Sequence, residues 1–358
     1  MHVITIVANS VSQAMAKGLG MIHDGHGVIR EESRNGAVLV KDGPVVTHSL
    51  YPLRRVLLSK HRDANPFFHL FESLWMLAGR NDLPWVAQFN RRMADYSDDG
   101  GKTQPAAYGH RWRGYFGYDQ LALIISELKA NPGTRRAVLA MWDAGEWVDG
   151  RMHRGDLPAA MAGSKDVPCN TECYFTIRDG KLYMSVQCRS NDLLWGAHGA
   201  NAVHFSILLE YVAAMVGVGI GEMVQYSWNY HLYDGILKKK LPKVIDSLLE
   251  TCPYTAQPKL QPTPLFNMDE SLDDWNTDLH LFMAMADPGS LFKEDLRPFK
   301  TAFFKDTAAP MFQAWCAHKM RDHRLALDYC SEIDGADWQL ACTEWIERRA
   351  KMAAKKEK

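Results

Sequence analysis

The 358-residue sequence has no run of about 18 consecutive apolar residues, so no membrane span is expected. It has no excess charge of either sign. Forty-one Lys and Arg stand against 42 Asp and Glu, a formal net charge of −1. That excludes a general electrostatic grip on nucleic acid or an anionic membrane; a bound anion must be held by a local cluster. Cysteine is sparse and odd in number: the seven form no CxxC pair, which argues for a reduced, cytosolic setting and against a structural zinc. No basic region precedes the short apolar part of residues 1–20, so no signal peptide is expected. No internal repeat is evident. His198, His204 and His231 have no metal-ligand spacing, and no metal is expected.

What is present is ordinary globular composition, 47% hydrophobic and 23% charged. The length suits two domains or one large α/β domain, with a core that needs no staples. Residues 1–25 read as a short strand, Val3 to Val7, and a helix. Residues 34–50 alternate as a hairpin would around Gly36 and Gly43. Phe67–Ala78 has helical apolar spacing, with Glu72 embedded in it. Residues 90–107 read as a loop, Gln120–Ala130 as a helix stopped by Asn131-Pro132-Gly133, and Arg136–Trp142 as a strand. Gly145–Val167 reads as irregular. Two strands flank Asp179-Gly180, a strong hairpin signal. Asn201–Val216 is an almost wholly apolar, buried helix and Met223–Trp228 a strand. Prolines at 253, 258, 262 and 264 mark a linker-like stretch. The expected organisation is a catalytic unit, 1–245, then a linker and helical extension, 246–358.

Pro168-Cys169 at the mouth of the hairpin offers a thiol exposed enough to react, although a lone cysteine is more often buried and inert. The hairpin returns Arg189 towards it, and a guanidinium there would favour the nucleophilic thiolate. With Arg34, Arg135 and Arg136 it could form an anion cradle, since guanidinium groups bind phosphate bidentately. For Arg135 and Arg136 the alternative is two surface charges. His231 and Tyr233, at period-two spacing, form a candidate hydroxyl-binding pair or a plain sheet edge. Glu72, in a cleft, could relay protons; otherwise it is a solvated edge residue.

In this order the motifs resemble the thymidylate synthase and deoxycytidylate hydroxymethylase family. They are Ser33-Arg34-Asn35-Gly36, Glu72-Ser73-Leu74-Trp75, Tyr108-Gly109-His110-Arg111-Trp112, Asn131 to Arg136, Pro168-Cys169, Arg189-Ser190-Asn191-Asp192, Asn201 and His231-Leu232-Tyr233. The resemblance runs from about Arg34 to Tyr233. It implies an α/β (α+β) fold, a mixed sheet packed with helices, and a homodimer joined through the sheets. It further implies that Cys169 attacks C6 of a pyrimidine deoxynucleoside monophosphate. Arg34, Arg189 and Ser190 would hold the phosphate, with Arg135 and Arg136 supplied by the other subunit. Asn191 and Asn201 would serve substrate binding, His231 and Tyr233 the sugar hydroxyl. Glu72 and Tyr108 would act in catalysis, Asp192 in catalysis and folate placement, and Trp75 against the folate. The one-carbon donor implied is 5,10-methylenetetrahydrofolate, as co-substrate.

Three departures favour the hydroxymethylase branch over a synthase. Asn191 stands third in Arg-Ser-Asn-Asp, a phage hydroxymethylase trait. The segment before Tyr108, Met93 to Ser97, holds Tyr96 and no tryptophan, so water could reach the reacting carbon. The chain ends in charged residues after a helical extension, not in a short apolar tail. Asn170 follows the nucleophile, where synthases often have histidine. An amide at Asn201 suits uracil, so deoxyuridylate is favoured over deoxycytidylate. Residues 196–200 carry one residue too many for that alignment, and His198 could touch the base edge. A synthase and an inactive nucleotide- or folate-binding relative remain as alternatives. The expected location is cytoplasmic, in the host if the gene is phage-borne.

Overall fold

The computed structural model describes residues 2–235, 241–250, 252–256, 260–288 and 298–356. One mixed sheet organises them. Its strands are β1 (Ile4–Ala8), β2 (Val28–Ser33), β3 (Gly36–Lys41), β4 (Val45–Ser49), β5 (Val138–Ala140), β8 (Asn170–Arg178), β9 (Lys181–Asp192) and β10 (Gly219–Tyr233), while β6 (Glu146–Val148) and β7 (Arg151–Arg154) pair apart. The path is β1-β4-β10-β9-β8-β5, with the β2–β3 hairpin added through β3 to β10. The long β10 pairs β4 along its first half and β3 at its end. So β3 and β4 are not a hairpin: the expected turn at Gly43 only carries the chain between two sections of β10. The real hairpin is β2–β3, turning at Arg34-Asn35.

The helices are α1 (Val11–His23), α2 (Pro66–Leu77), α3 (Leu83–Ala87), α4 (Tyr108–Arg113), α5 (Gln120–Ala130), α6 (Asp156–Met161), α7 (Asn201–Val216), α8 (Leu241–Glu250), α9 (Leu272–Met285), α10 (Ala309–Lys319), α11 (His323–Ser331) and α12 (Ala336–Lys356). Helix α2 starts at a favourable boundary: Asn65 caps it by accepting from Phe68 N–H, and Pro66 opens its first turn. Every residue of α2 is buried. With the π-helical turn that precedes it, α7 makes a helix from Leu193 to Val216 long and apolar enough to cross a membrane, yet 72% of its most apolar window is buried, as in a core helix.

The residues beyond 246 do not form a separate layer. Phe67 of α2 packs on Trp315 and Trp345 at 5.5 and 5.6 Å, inside one core cluster that spans Val56 to Ile346. A buried ion pair ties the linker to α7. Arg55 Nη1 lies 2.7 Å from Glu210 Oε2, Arg55 also donates to Thr263 O, and Glu210 accepts from Leu265 N–H. Deleting one partner of such a pair typically costs about 3–5 kcal/mol. A second cluster packs α1 and α8 on β1, β4 and the end of β10.

Local expectations fail where tertiary contacts decide. β5 is three residues, so Arg135 and Arg136 lie before it and exposed. The stretch from 145 to 167 contains the β6–β7 pair and α6. Residues 91–96 form a 3₁₀ helix within the expected loop.

Candidate active site

The β8–β9 hairpin turns at Asp179 and Gly180, with φ of 48° and 69°, as a type I′ turn requires. It brings Arg189 N–H to Cys169 O at 2.9 Å. β9 then runs parallel to β10, with Ser190 opposite Asn229 and Asp192 opposite His231. On the other side β3 sets Val38 opposite Tyr233, so the Arg34 turn reaches the same end of the sheet. Register alone gathers Cys169, Arg189 to Asp192, His231, Tyr233 and Arg34.

The nucleophile loop is clamped by two guanidinium groups. Arg34 donates to Ser164 O at 2.9 Å and Lys165 O at 2.8 Å. Arg189 donates to Pro168 O at 2.8 Å and Val167 O at 3.1 Å. Cys169 is half-buried between them. Burial pushes its thiol pKa up; Arg189 and, more weakly, Arg34 oppose that, while Asp166 adds to it. Arg189 favours the thiolate, as its spacing implies, but desolvation outweighs the guanidinium groups.

Tyr108 stands behind the thiol. Its hydroxyl accepts from Asn170 N–H at 3.3 Å and from the Asn170 amide at 2.9 Å. Gly109 makes this possible: a Cβ there would lie 2.0 Å from Met76 O, so α4 rests directly on the backbone of α2. Arg111 anchors α4 with a buried bidentate bond to Asp156 at 2.7 and 2.8 Å. Glu72, from α2, is buried against His204 of α7, with 2.9 Å between Oε2 and Nε2.

Asn191 donates to Ser227 Oγ at 2.9 Å and accepts from Asn201 at 3.4 Å. The turn between them, Leu193–Ala200, is π-helical, the form a helix takes when it absorbs one extra residue. Gly196 is forced, since a Cβ would meet Asn191 Oδ1 at 2.7 Å. Asp192 caps this turn, accepting from Leu194 and Trp195 N–H. Burial raises its carboxyl to about 6, against those two bonds and Arg62. His231 Nδ1 lies 2.8 Å from Asn229 Oδ1, and its ring meets Tyr233 edge-on at 5.7 Å.

Two expectations are corrected. Trp75 has no exposed surface; its indole N–H reaches Asp82 at 3.3 Å, so it supports the core and does not face a ligand. His198 is buried on Tyr230 at 2.7 Å and not at a base edge.

Beside the site is a cleft of about 530 Å³, lined by Arg34, Arg92, Tyr96, Lys165, Trp195 and Tyr233 among others; Cys169, Arg189 and His231 are not in its lining. The volume is ligand-sized. Arg92, Lys165 and Trp195 were not singled out from the sequence. Trp195 carried a usable signal, three residues past Asp192. Arg135 and Arg136 are not in this cleft.

The model of the family described as thymidylate synthase matches residues 53–281. The chain belongs to the thymidylate synthase family. It is 43% identical over 356 residues to a protein of Pseudomonas phage M6 named deoxyuridylate hydroxymethyltransferase, covering 96% of this chain and 94% of that one. A protein of the same name from Bacillus phage SP01 is 34% identical over 70% of this chain and 66% of its own. A thymidylate synthase of Symbiobacterium thermophilum is 30% identical over 46% and 58%. The chain is thus a one-carbon transferase, and the family match extends past residue 245, into the expected linker and α9.

Proposed function

We propose that the protein 5-hydroxymethylates deoxyuridylate, with 5,10-methylenetetrahydrofolate as the one-carbon donor and water as the final nucleophile. The observation that carries this is the near full-length similarity to a phage deoxyuridylate hydroxymethyltransferase. The site geometry supports it. Arg34 and Arg189 would donate to the phosphate, with Ser190 alongside, and His231 and Tyr233, in edge contact at the end of β10, would take the sugar hydroxyl. Binding the phosphate fixes the ring against Cys169.

In this reading the Cys169 thiolate adds to C6, and the C5–C6 electron pair becomes available at C5. The donor supplies the one-carbon unit to C5. The C5 proton leaves to a base, for which Glu72 and Tyr108 are the candidates, and the bond from the one-carbon unit to the folate nitrogen breaks, releasing tetrahydrofolate and leaving an exocyclic methylene. Water then adds to the exocyclic carbon, its proton leaves, and the thiolate departs from C6. Tyr96, 39% exposed, is a thin wall that leaves this carbon open to water. The last helix, α12, is docked by Trp338 and Trp345 in the core and by Arg349 on Asp63, so it supports no lid role. The Asn191–Asn201 pair favours uracil, because an amide both donates and accepts.

The active unit proposed is a homodimer joined through the sheet. A row of outward residues crosses six strands in register, Val7, His48, Val224, Ser185, Tyr174 and Val138, all partly exposed. A sheet containing a parallel pair is normally covered on both faces. The partner would also bring Arg135 and Arg136 to the phosphate. The reduced cysteines fit a cytoplasmic site of action, and all seven are free thiols.

Tritium release tests the substrate. With the folate donor, 5-³H-deoxyuridylate should lose tritium at least about ten times faster than 5-³H-deoxycytidylate, the discrimination expected from one matched polar edge. Faster release from the cytidylate would reverse the base assignment.

A further inference from the structure

Glu72 and His204 are 4% and 3% exposed, and His204 Nε2 lies 2.9 Å from Glu72 Oε2. Neither atom has an aligned hydrogen bond among the described residues, and His204 Nδ1 also lacks one. A pair so close, so buried and so incompletely satisfied calls for an explanation.

Its surroundings point towards the reacting end of the site. Asn201 precedes His204 by three residues on α7, so the two share a helix face. The next residue, Phe205, packs on the Tyr108 ring at 5.9 Å, and the Tyr108 hydroxyl holds Asn170 beside Cys169. His69, three residues before Glu72, is not the partner. Burial keeps it neutral, and Arg62 and His204 push the same way. Arg62 is engaged with Leu194 O at 2.8 Å and lies near Asp192. Of the ionisable side chains packed here, only His204 stands at ion-pair distance from Glu72 among the described residues.

We propose that His204 is a positioning residue of this active site: it shares a proton with Glu72 and fixes the direction of the carboxylate. The shared proton moves between Nε2 and Oε2, and no other bond changes. The inference rests on the reading above, in which Glu72 moves protons. Its imidazole acts through Glu72 and does not touch the nucleotide.

The test uses His204→Ala and His204→Gln in the full chain. Three quantities are read: deoxyuridylate binding by calorimetry without folate, the melting temperature, and tritium release from 5-³H-deoxyuridylate. The alanine variant should lose about 100-fold in kcat, the scale of acid–base assistance, with nucleotide affinity and KM within about threefold of wild type. The glutamine variant should fold and bind as wild type does, because its amide reaches the same oxygen. It should recover only part of the rate, since an amide cannot carry the proton. Should the alanine variant fail to fold, the glutamine variant decides. Wild-type turnover in either variant overturns the inference and leaves the functional reading intact. Loss of nucleotide binding in the glutamine variant also overturns it, making His204 a scaffold residue. Absence of tritium release from the wild type overturns the functional reading and the inference with it.

Discussion

Replacing Cys169 by serine is expected to cut turnover by on the order of 10³-fold or more while nucleotide affinity changes little. The hydroxyl is nearly the size of the thiol, so the loop and its two arginine clamps should stand unchanged. Those clamps bind backbone carbonyls at 164, 165, 167 and 168, and none depends on the sulfur. What is lost is the nucleophile. Burial already raises the thiol, and a serine hydroxyl is far harder to ionise in the same setting. Tritium release and calorimetry on one preparation separate the two effects. A variant that kept a tenth of wild-type turnover would remove Cys169 from the chemistry.

Mixing inactive subunits should restore activity. Cys169→Ser and Arg136→Ala chains, each nearly inert, are expected to give about a quarter of the wild-type sites after equal mixing and exchange. Half of the dimers are then hybrids, and each has one site with neither lesion. The prediction follows from two placements. Arg135 and Arg136 are exposed at the β5 edge and outside the cleft of their own chain. The sheet face beside them lies open, with Tyr174 and Val138 each 39% exposed. A strictly monomeric protein at working concentration, or no recovery after verified exchange, would contradict both the dimer and the shared phosphate site.

The sequence was most readable where local chemistry determines structure. Asp179-Gly180 specified the hairpin because only that turn type suits its positive φ angles, and the hairpin in turn placed Arg189 on Cys169. Orientation inside buried helices was not readable. Every residue of α2 is buried, so its apolar pattern has no phase to tell which side faces a ligand. Trp75 was therefore assigned to the folate when it belongs to the core, and the Glu72–His204 contact was invisible. His198 was misassigned because its direction depends on the irregular backbone of the π turn, where Gly199 departs from helical angles. Arg189 beside Cys169 was readable from spacing, but the desolvation that outweighs it depends on what the whole fold packs around the thiol. The boundary placed at 245 followed the prolines, yet Phe67 and Trp315 meet in one core across it. Arg92, in a short 3₁₀ helix, and Lys165, in a loop, reach the cleft from exposed positions, which no periodicity marks.

Product identity tests the central claim most directly. Purified protein with deoxyuridylate and 5,10-methylenetetrahydrofolate is followed by near-ultraviolet absorbance, and the nucleotide is then weighed by mass spectrometry. The account predicts 5-hydroxymethyldeoxyuridylate together with tetrahydrofolate, and no rise in absorbance. Thymidylate appearing in step with dihydrofolate would contradict it, and would mean that hydride, not water, reaches the carbon beside Tyr96.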